Sequence, residues 1–481
     1  KKTKKKKKEE KKKGKKNKKD KKGKKQKEEE NEEPLPEKVK DVSDLDPIFN
    51  SLNCLNFTNG ICCRNLNRPD ILQSLEKLIS SGRSVKIIHL ENCGVTDGLE
   101  SLSQVIKFNP ELEILYWNLS NNKFNDFKSF STIITYSKGE LLYLNLSNCN
   151  IKASEPRELF VSLWRNPLMH KIRFLFLAGM EIEDTEMFSK YLTRNISITT
   201  LDLSNIQDNS GKLISILREK KYPLQVLIIR NIDLSACFDE LLDFLKSTET
   251  LNSLDISGTG ITPNQVADVI TTIAKNIIDR RKENNIDMNS KDVDITPFTF
   301  NLFLNNLNLH DTAILLLYRA FLEYDLNIWR SLSFDENEMN EADLKYILPL
   351  FLRMRSLESL SLNGNFDSEM GNVHMFLPRL IDVPKLSALS LAGNENHKLG
   401  KVLESFLEKV RTTNKLEYLD VRNNSGGDNN YLLFVQIIHS CSKLKRFFID
   451  GSDLKCAEDY EKIVNALEMN KTLISMPFPL I

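Results

Sequence analysis

At 481 residues the chain is longer than a single compact core usually supports, and its net charge of +1 is unevenly spread. Residues 1–33 hold nineteen Lys against eight Asp and Glu, a net of +11, which leaves −10 for residues 34–481. No apolar run reaches the ~18 residues of a membrane-spanning helix. The eight cysteines, at 54, 62, 63, 93, 149, 237, 441 and 456, show neither a regular disulfide spacing nor a Cys-x-x-Cys metal pair, which argues against a disulfide-stapled domain and a zinc module.

Residues 1–33 contain no apolar side chain, so they cannot bury surface to offset ordering entropy, and they read as a disordered Lys/Glu-rich basic arm. The arm is a candidate for salt-dependent contact with anionic lipid, nucleic acid or an acidic polymer such as an actin filament or a tubulin tail. It lacks the interleaved aromatics of a base-stacking segment and the amphipathic pattern of an interfacial one, and a plainly solvated charge run is the alternative. Pro34 and Pro36 close the arm, and residues 34–50 form an entry segment. The chain opens at Lys1 rather than Met, which fits a piece of a longer protein.

From residue 51 to 481 one pattern recurs: Leu-x-x-Leu-x-Leu-x-x-Asn/Cys-x-Leu, opening at Val85, Ile114, Leu141, Ile172, Ile198, Leu224, Leu251, Thr299, Trp329, Leu357, Leu386, Leu416, Leu444 and Leu473. A degenerate earlier copy reads Leu52, Leu55 and Phe57. All steps but one fall between 26 and 31 residues, the period and core motif of a leucine-rich repeat. Each repeat opens with an alternating stretch that suits a short strand; Leu141, Leu144, Leu146, Cys149 and Ile151 point inward. Helical spacing follows, as in Leu75, Leu78 and Ile79, in Val266, Val269, Ile270 and Ile273, and in Phe406, Leu407 and Val410. A strand plus a full helix per repeat predicts an α/β solenoid of about 14–15 repeats, with a parallel concave sheet and outer helices. The one long step, 48 residues from Leu251 to Thr299, is expected to hold a polar loop insertion at 278–297 after a helix ending near Asn276.

Side chains alternate across a strand, so the x positions of the motif face the concave surface. The middle column reads Ile87, Tyr116, Tyr143, Phe174, Thr200, Val226 and Ser253; the next reads His89, Asn118, Asn145, Phe176, Asp202, Ile228 and Asp255. Tyr116, Tyr143, Phe174 and Phe176 are therefore expected to form one aromatic patch, a candidate protein-binding site unless neighbouring side chains or the N-terminal segment cover it. Tyr418 and Phe448, among the charged residues Glu417, Asp420, Arg422, Lys445, Arg446 and Asp450, form a second candidate patch. Between them Ser331, Ser333, Ser359, Ser361, Ala388 and Ser390 make a floor of small residues, suited to a helix or strand lying across it or simply to a tight inner curve. His89 is expected to face solvent from its strand.

No phosphate loop, no His-Glu-x-x-His and no Gly-x-Ser-x-Gly occurs, and His89, His170, His310, His374, His397 and His439 fall at no ligand spacing. We therefore expect no enzyme, no cofactor, no metal and no small-molecule substrate. Asn118-Leu-Ser and Asn145-Leu-Ser match the glycosylation sequon but lie inside the repeat core, and buried free thiols fit a reducing, cytoplasmic setting.

The last repeats carry a more specific run, Ala466-Leu-Glu-Met-Asn470-Lys-Thr472-Leu473-Ile-Ser-Met476-Pro477-Phe478-Pro479. It resembles the closing signature of the repeat domain of the CARMIL family of actin-regulatory scaffolds. Leu360-Ser-Leu-Asn-Gly-Asn365-Phe366 and His89-Leu-Glu-Asn-Cys-Gly94 are similar to other repeats of that family. The resemblance covers most of residues 51–481 and implies a cytoplasmic scaffold linking heterodimeric capping protein, class I myosin and the membrane to branched actin assembly. The family's pleckstrin-homology-like domain and capping-protein-binding segment match nothing in this sequence, so no residue here is assigned to either task. A regulator of a small GTPase resembling the Ran GTPase-activating proteins, and a general leucine-rich-repeat adaptor, are the alternatives.

Overall fold

A computed structural model describes residues 59–80, 85–109, 111–152, 154–206, 209–219, 221–286, 298–424, 430–451 and 457–476. The basic arm, the entry segment and the copy at Leu52–Phe57 lie outside them. Fourteen parallel strands follow one another in a single open sheet, each hydrogen-bonded to its neighbours in sequence order. They are β1 (Gly60–Arg64), β2 (Ile87–Glu91), β3 (Tyr116–Asn118), β4 (Tyr143–Asn145), β5 (Phe174–Phe176), β6 (Thr200–Asp202), β7 (Val226–Ile228), β8 (Ser253–Asp255), β9 (Phe300–Phe303), β10 (Trp329–Ser333), β11 (Ser359–Ser361), β12 (Ala388–Ser390), β13 (Tyr418–Asp420) and β14 (Arg446–Phe448). Helices alternate with the strands, and the unit is a leucine-rich-repeat solenoid. Strands lie ~4.8 Å apart while packed helices need ~8–10 Å, so stacked repeats bend with the sheet on the inner face.

The register follows from the leucines. Leu144 pairs with Leu175, Leu175 with Leu201 and Leu201 with Leu227, and each is fully buried between sheet and helices. Beyond the strand the turn is closed by the Asn/Cys position. Asn122 Oδ1 accepts from the backbone N–H of Cys93 and Val95, and its Nδ2 donates to the carbonyls of Leu90, Leu119 and Ser120. Asn337, Asn365 and Asn424 make equivalent bonds in the later repeats. Cys149 fills the same position with less: its thiol donates to the Leu119 carbonyl at 3.1 Å, and burial pushes it up to about 12. A buried backbone polar group left unpaired costs as much as a lost hydrogen bond, so these side chains are what lets three-residue strands be stacked.

Four expectations change. The first described strand is β1, with Ile61 opposite Ile88, in a segment whose Gly60-Ile-Cys-Cys carries no leucine. At the other end the copy at Leu473 contributes a single bridge, Arg446 to Ser475, instead of a strand. The helix Pro263–Glu283 runs seven residues beyond Asn276, so 278–283 of the expected loop are helical, while 287–297 lie outside the described residues. Its length follows from a Thr262–Gln265 capping box at one end, from Ile277 and Arg281 buried along it, and from Arg280, Arg281 and Lys282 against its carbonyl end. Between β11 and β12 the full helix is missing. Four helical residues, Val373–Phe376, give way to a 3₁₀ turn, Leu377–Asp382, because Pro378 has no N–H to continue the ladder.

Candidate binding face

The strands set the concave surface residue by residue. Tyr116, Tyr143 and Phe174 are register partners on β3, β4 and β5, and Phe176 stands two residues along β5 opposite Asn145. Tyr116 and Tyr143 stack with ring centroids 4.0 Å apart, and Tyr143 lies 6.1 Å from Phe174 and 5.3 Å from Phe176. The four rings are thus one cluster, with Phe174 38% exposed and the others half-buried. Burial, together with a hydrogen bond to Tyr143, raises the Tyr116 phenol far above its ordinary range, so Tyr116 presents a neutral hydroxyl. At the far end Tyr418 and Phe448 are 5.4 Å apart, and the Arg422 guanidinium lies 5.2 Å from the Phe448 ring. Burial near Asp420 raises the Tyr418 phenol too.

His89 departs from its expected place in solvent. It faces the concave side but is only 4% exposed, under Tyr116 at 6.0 Å. Its Nε2 lies 2.9 Å from Glu91 Oε2, 3.0 Å from Arg64 Nε and 3.1 Å from Asn118 Nδ2. One ring nitrogen cannot both donate to the carboxylate and accept from two donors. Arg64 Nε can only donate, so it and Glu91 compete for this nitrogen, and Arg64 also approaches the Glu91 carboxylate at 3.5 Å. Both sequon asparagines are engaged inside the repeat: Asn118 Oδ1 accepts from the Ser120 N–H and hydroxyl, and Asn145 Oδ1 from the Ser147 N–H.

The serine floor is a bonded surface. Ser333 donates to Asn305 Oδ1 at 2.7 Å, Ser361 to Asp335 Oδ1 at 2.6 Å and Ser390 to Asn363 Oδ1 at 2.8 Å. Asp335 also accepts from the Asn363 N–H and Nδ2. The signal was present in the sequence as Ser333-x-Asp335 and Ser361-x-Asn363, a small donor two residues before an acceptor. The hydroxyls of Ser333, Ser361 and Ser390 are thus engaged with the neighbouring repeat.

Three aspartates occupy one column of the sheet and make the same local bond: Asp202 to the Ser204 N–H, Asp255 to Ser257 and Asp420 to Arg422. Asp255 carries Arg230 at 2.5 Å and Asp420 carries Arg422 at 2.7 Å. Asp202 has no ion pair among the described residues, and burial lifts its carboxyl above the ordinary value despite two bonds from Ser204 and the more distant charge of Arg230. Asp202 is the register partner of Phe176. Sequence patterning shows which face each aspartate takes, but not which of them has an arginine in reach.

Among the described residues no group of three or more His, Cys, Asp and Glu could hold a metal ion, and no helix is long and apolar enough to cross a membrane. Outer-surface hollows among the described residues include open grooves between helices, one of them lined by Lys246, Thr272, Lys275, Asp279 and Tyr324.

No family model matches the chain. Among solved structures it is similar to the leucine-rich repeat-containing protein LegL7 from Legionella pneumophila, at 15% identity and a TM-score of 0.39, over 68% of this chain and 87% of that one. It is also similar to the tropomodulin C-terminal domain from Caenorhabditis elegans, at 13% identity and a TM-score of 0.24, over 40% of this chain and 91% of that one.

Proposed function

We propose that this protein is a non-enzymatic scaffold of the cortical actin cytoskeleton that docks protein partners on its concave sheet. The observation that carries the docking reading is the cluster of Tyr116, Tyr143, Phe174 and Phe176, contiguous across three strands and open on one side. Aromatic surface of this kind contributes most when a partner dehydrates it, and rings lose little side-chain entropy on being fixed. A cytoplasmic place in the actin cortex is supported by the resemblance of the closing run around Asn470, Thr472 and Met476 to the CARMIL repeats. The Lys-rich arm would add non-specific attraction to anionic lipid or acidic polymer, weakening with salt.

The test is a quantitative pull-down from cell lysate with the full chain and with the triple variant Tyr143→Ala, Phe174→Ala, Phe176→Ala, each verified as folded by circular dichroism. Cortical actin proteins captured by the first bait and reduced at least tenfold on the second are the expected result. Identical catches remove the aromatic face as the docking site. A catch of small GTPases without cytoskeletal proteins would replace the scaffold with a GTPase regulator.

A further inference from the structure

The unpaired aspartate beside the aromatic cluster specifies what kind of side chain the face accepts. Of three equivalent aspartates on the concave sheet, two touch an arginine, whereas Asp202 meets Arg230 only through its longer-range field. Arg230, the nearest cation along the column, is committed to Asp255 through Nε. Asp202 is flanked by Phe176 on one strand and Ile228 on the other, apolar neighbours that cannot compensate a carboxylate. Ser204 supplies both of its hydrogen bonds to Oδ1, and Oδ2 receives none among the described residues. A half-buried carboxylate with no cation in contact, while its counterparts have one, leaves an acceptor oxygen for a partner from outside. Ring faces beside it add to the same preference, since the aromatic quadrupole attracts a cation and the ring surface takes its aliphatic stem.

We propose that Asp202 and the rings of Phe176, Phe174 and Tyr143 together bind an arginine or lysine side chain of a protein partner. The charge rests on Asp202 Oδ2 and the stem crosses Phe176. This deepens the docking reading and rests on it. The partner segment is therefore basic and apolar in alternation, and an acidic segment is rejected by the Asp202 carboxylate.

The experiment screens the full chain against an immobilised library of randomised hexapeptides, and measures affinity for the selected peptides by fluorescence anisotropy. Peptides enriched in Arg or Lys beside an apolar residue are expected. Asp202→Asn, which keeps the oxygen that accepts from Ser204, should weaken them at least tenfold, and Asp202→Arg should turn the selection toward Asp and Glu. Binders without a cation, binders held equally by Asp202→Asn, or no binders at all overturn the proposal. The triple ring variant separates the two readings. Peptides lost with the rings but indifferent to Asp202 leave the docking face standing and remove its cation preference, and peptides indifferent to the rings remove both. Self-association that Phe176→Ala abolishes, seen by sedimentation velocity, would assign the face to a second copy and overturn the proposal as well.

Discussion

In every described repeat but that of β12, one residue just past the strand takes the left-handed conformation as the chain leaves the sheet. Asn65, Asn92, Asn121, Asn148, Asn205, Asn231, Asn306 and Asn423 take it, as do Gly179, Gly258, Gly364 and Gly451. Asparagine tolerates this region and glycine has no Cβ to clash. The asparagines also link to one another, Asn92 Nδ2 to Asn65 Oδ1, Asn148 to Asn121 and Asn231 to Asn205, each at 2.9–3.0 Å. Glu336 occupies this position with φ 55° and has neither advantage. Glu336→Asn should relieve the strain and allow a bond to Asn306, stabilising the protein by about 0.5–1 kcal/mol. Glu336→Gly should gain less, because glycine also raises the entropy of the unfolded chain. Urea midpoints of the two variants, compared with the parent, decide the matter; a loss of stability in Glu336→Asn would show that the glutamate has a role in its neighbourhood that outweighs the strain.

At the scale of the element, the turns closed by Asn122, Asn337, Asn365 and Asn424 are each fastened by one buried amide that touches two repeats. Asn365 accepts from the Asn337 N–H at 2.9 Å and donates to the Phe334 carbonyl at 2.9 Å. Asn365→Ala would strand both groups in the core, at a cost of about 2–4 kcal/mol. Asn365→Cys should cost less, because a thiol at this position can still donate to a carbonyl, as Cys149 does. Equal losses for both in urea unfolding would mean that volume, not the hydrogen bonds, sets the requirement. Strand positions were legible from the leucine spacing because burial on one face forces the period. Strand β1 was not, since Gly60 to Cys63 bury less bulk and offer no leucine to count. Patterning placed Tyr116, Tyr143, Phe174 and Phe176 on the same face as His89 and Asp202. It could not show that Tyr116 covers the histidine or that Asp202 lacks the arginine given to Asp255, because depth and ion pairing depend on side-chain conformation in the next repeat.

For the whole molecule, stability is a chain of nearest-neighbour terms, so the weakest interface decides whether the repeats unfold together. The step from β8 to β9 is the longest in the array, and β9 meets β10 with a register shift at Trp329/Ser331. Arg281, at the end of the long helix and 7% exposed, ties this region down. Its Nη1 lies 2.7 Å from Asp325 Oδ2, and its Nη2 donates to the Phe298 carbonyl at 2.8 Å. Asp325 in turn accepts from the Asn327 N–H at 2.9 Å and holds the turn into β10. Removing one partner of a buried pair leaves the other uncompensated, but Asp325 is 37% exposed and water recovers part of that loss, so Arg281→Ala should cost roughly 2–3 kcal/mol. The larger consequence is in cooperativity. With its link weakened, the block β1–β8 should release its amide protons at a different urea concentration from the block β9–β14. Hydrogen exchange followed by mass spectrometry would show the two sets of peptides opening together in the parent and separately in Arg281→Ala. Coincident opening in both would mean that the pairing of Leu254 with Leu302, on its own, carries the coupling across the long repeat.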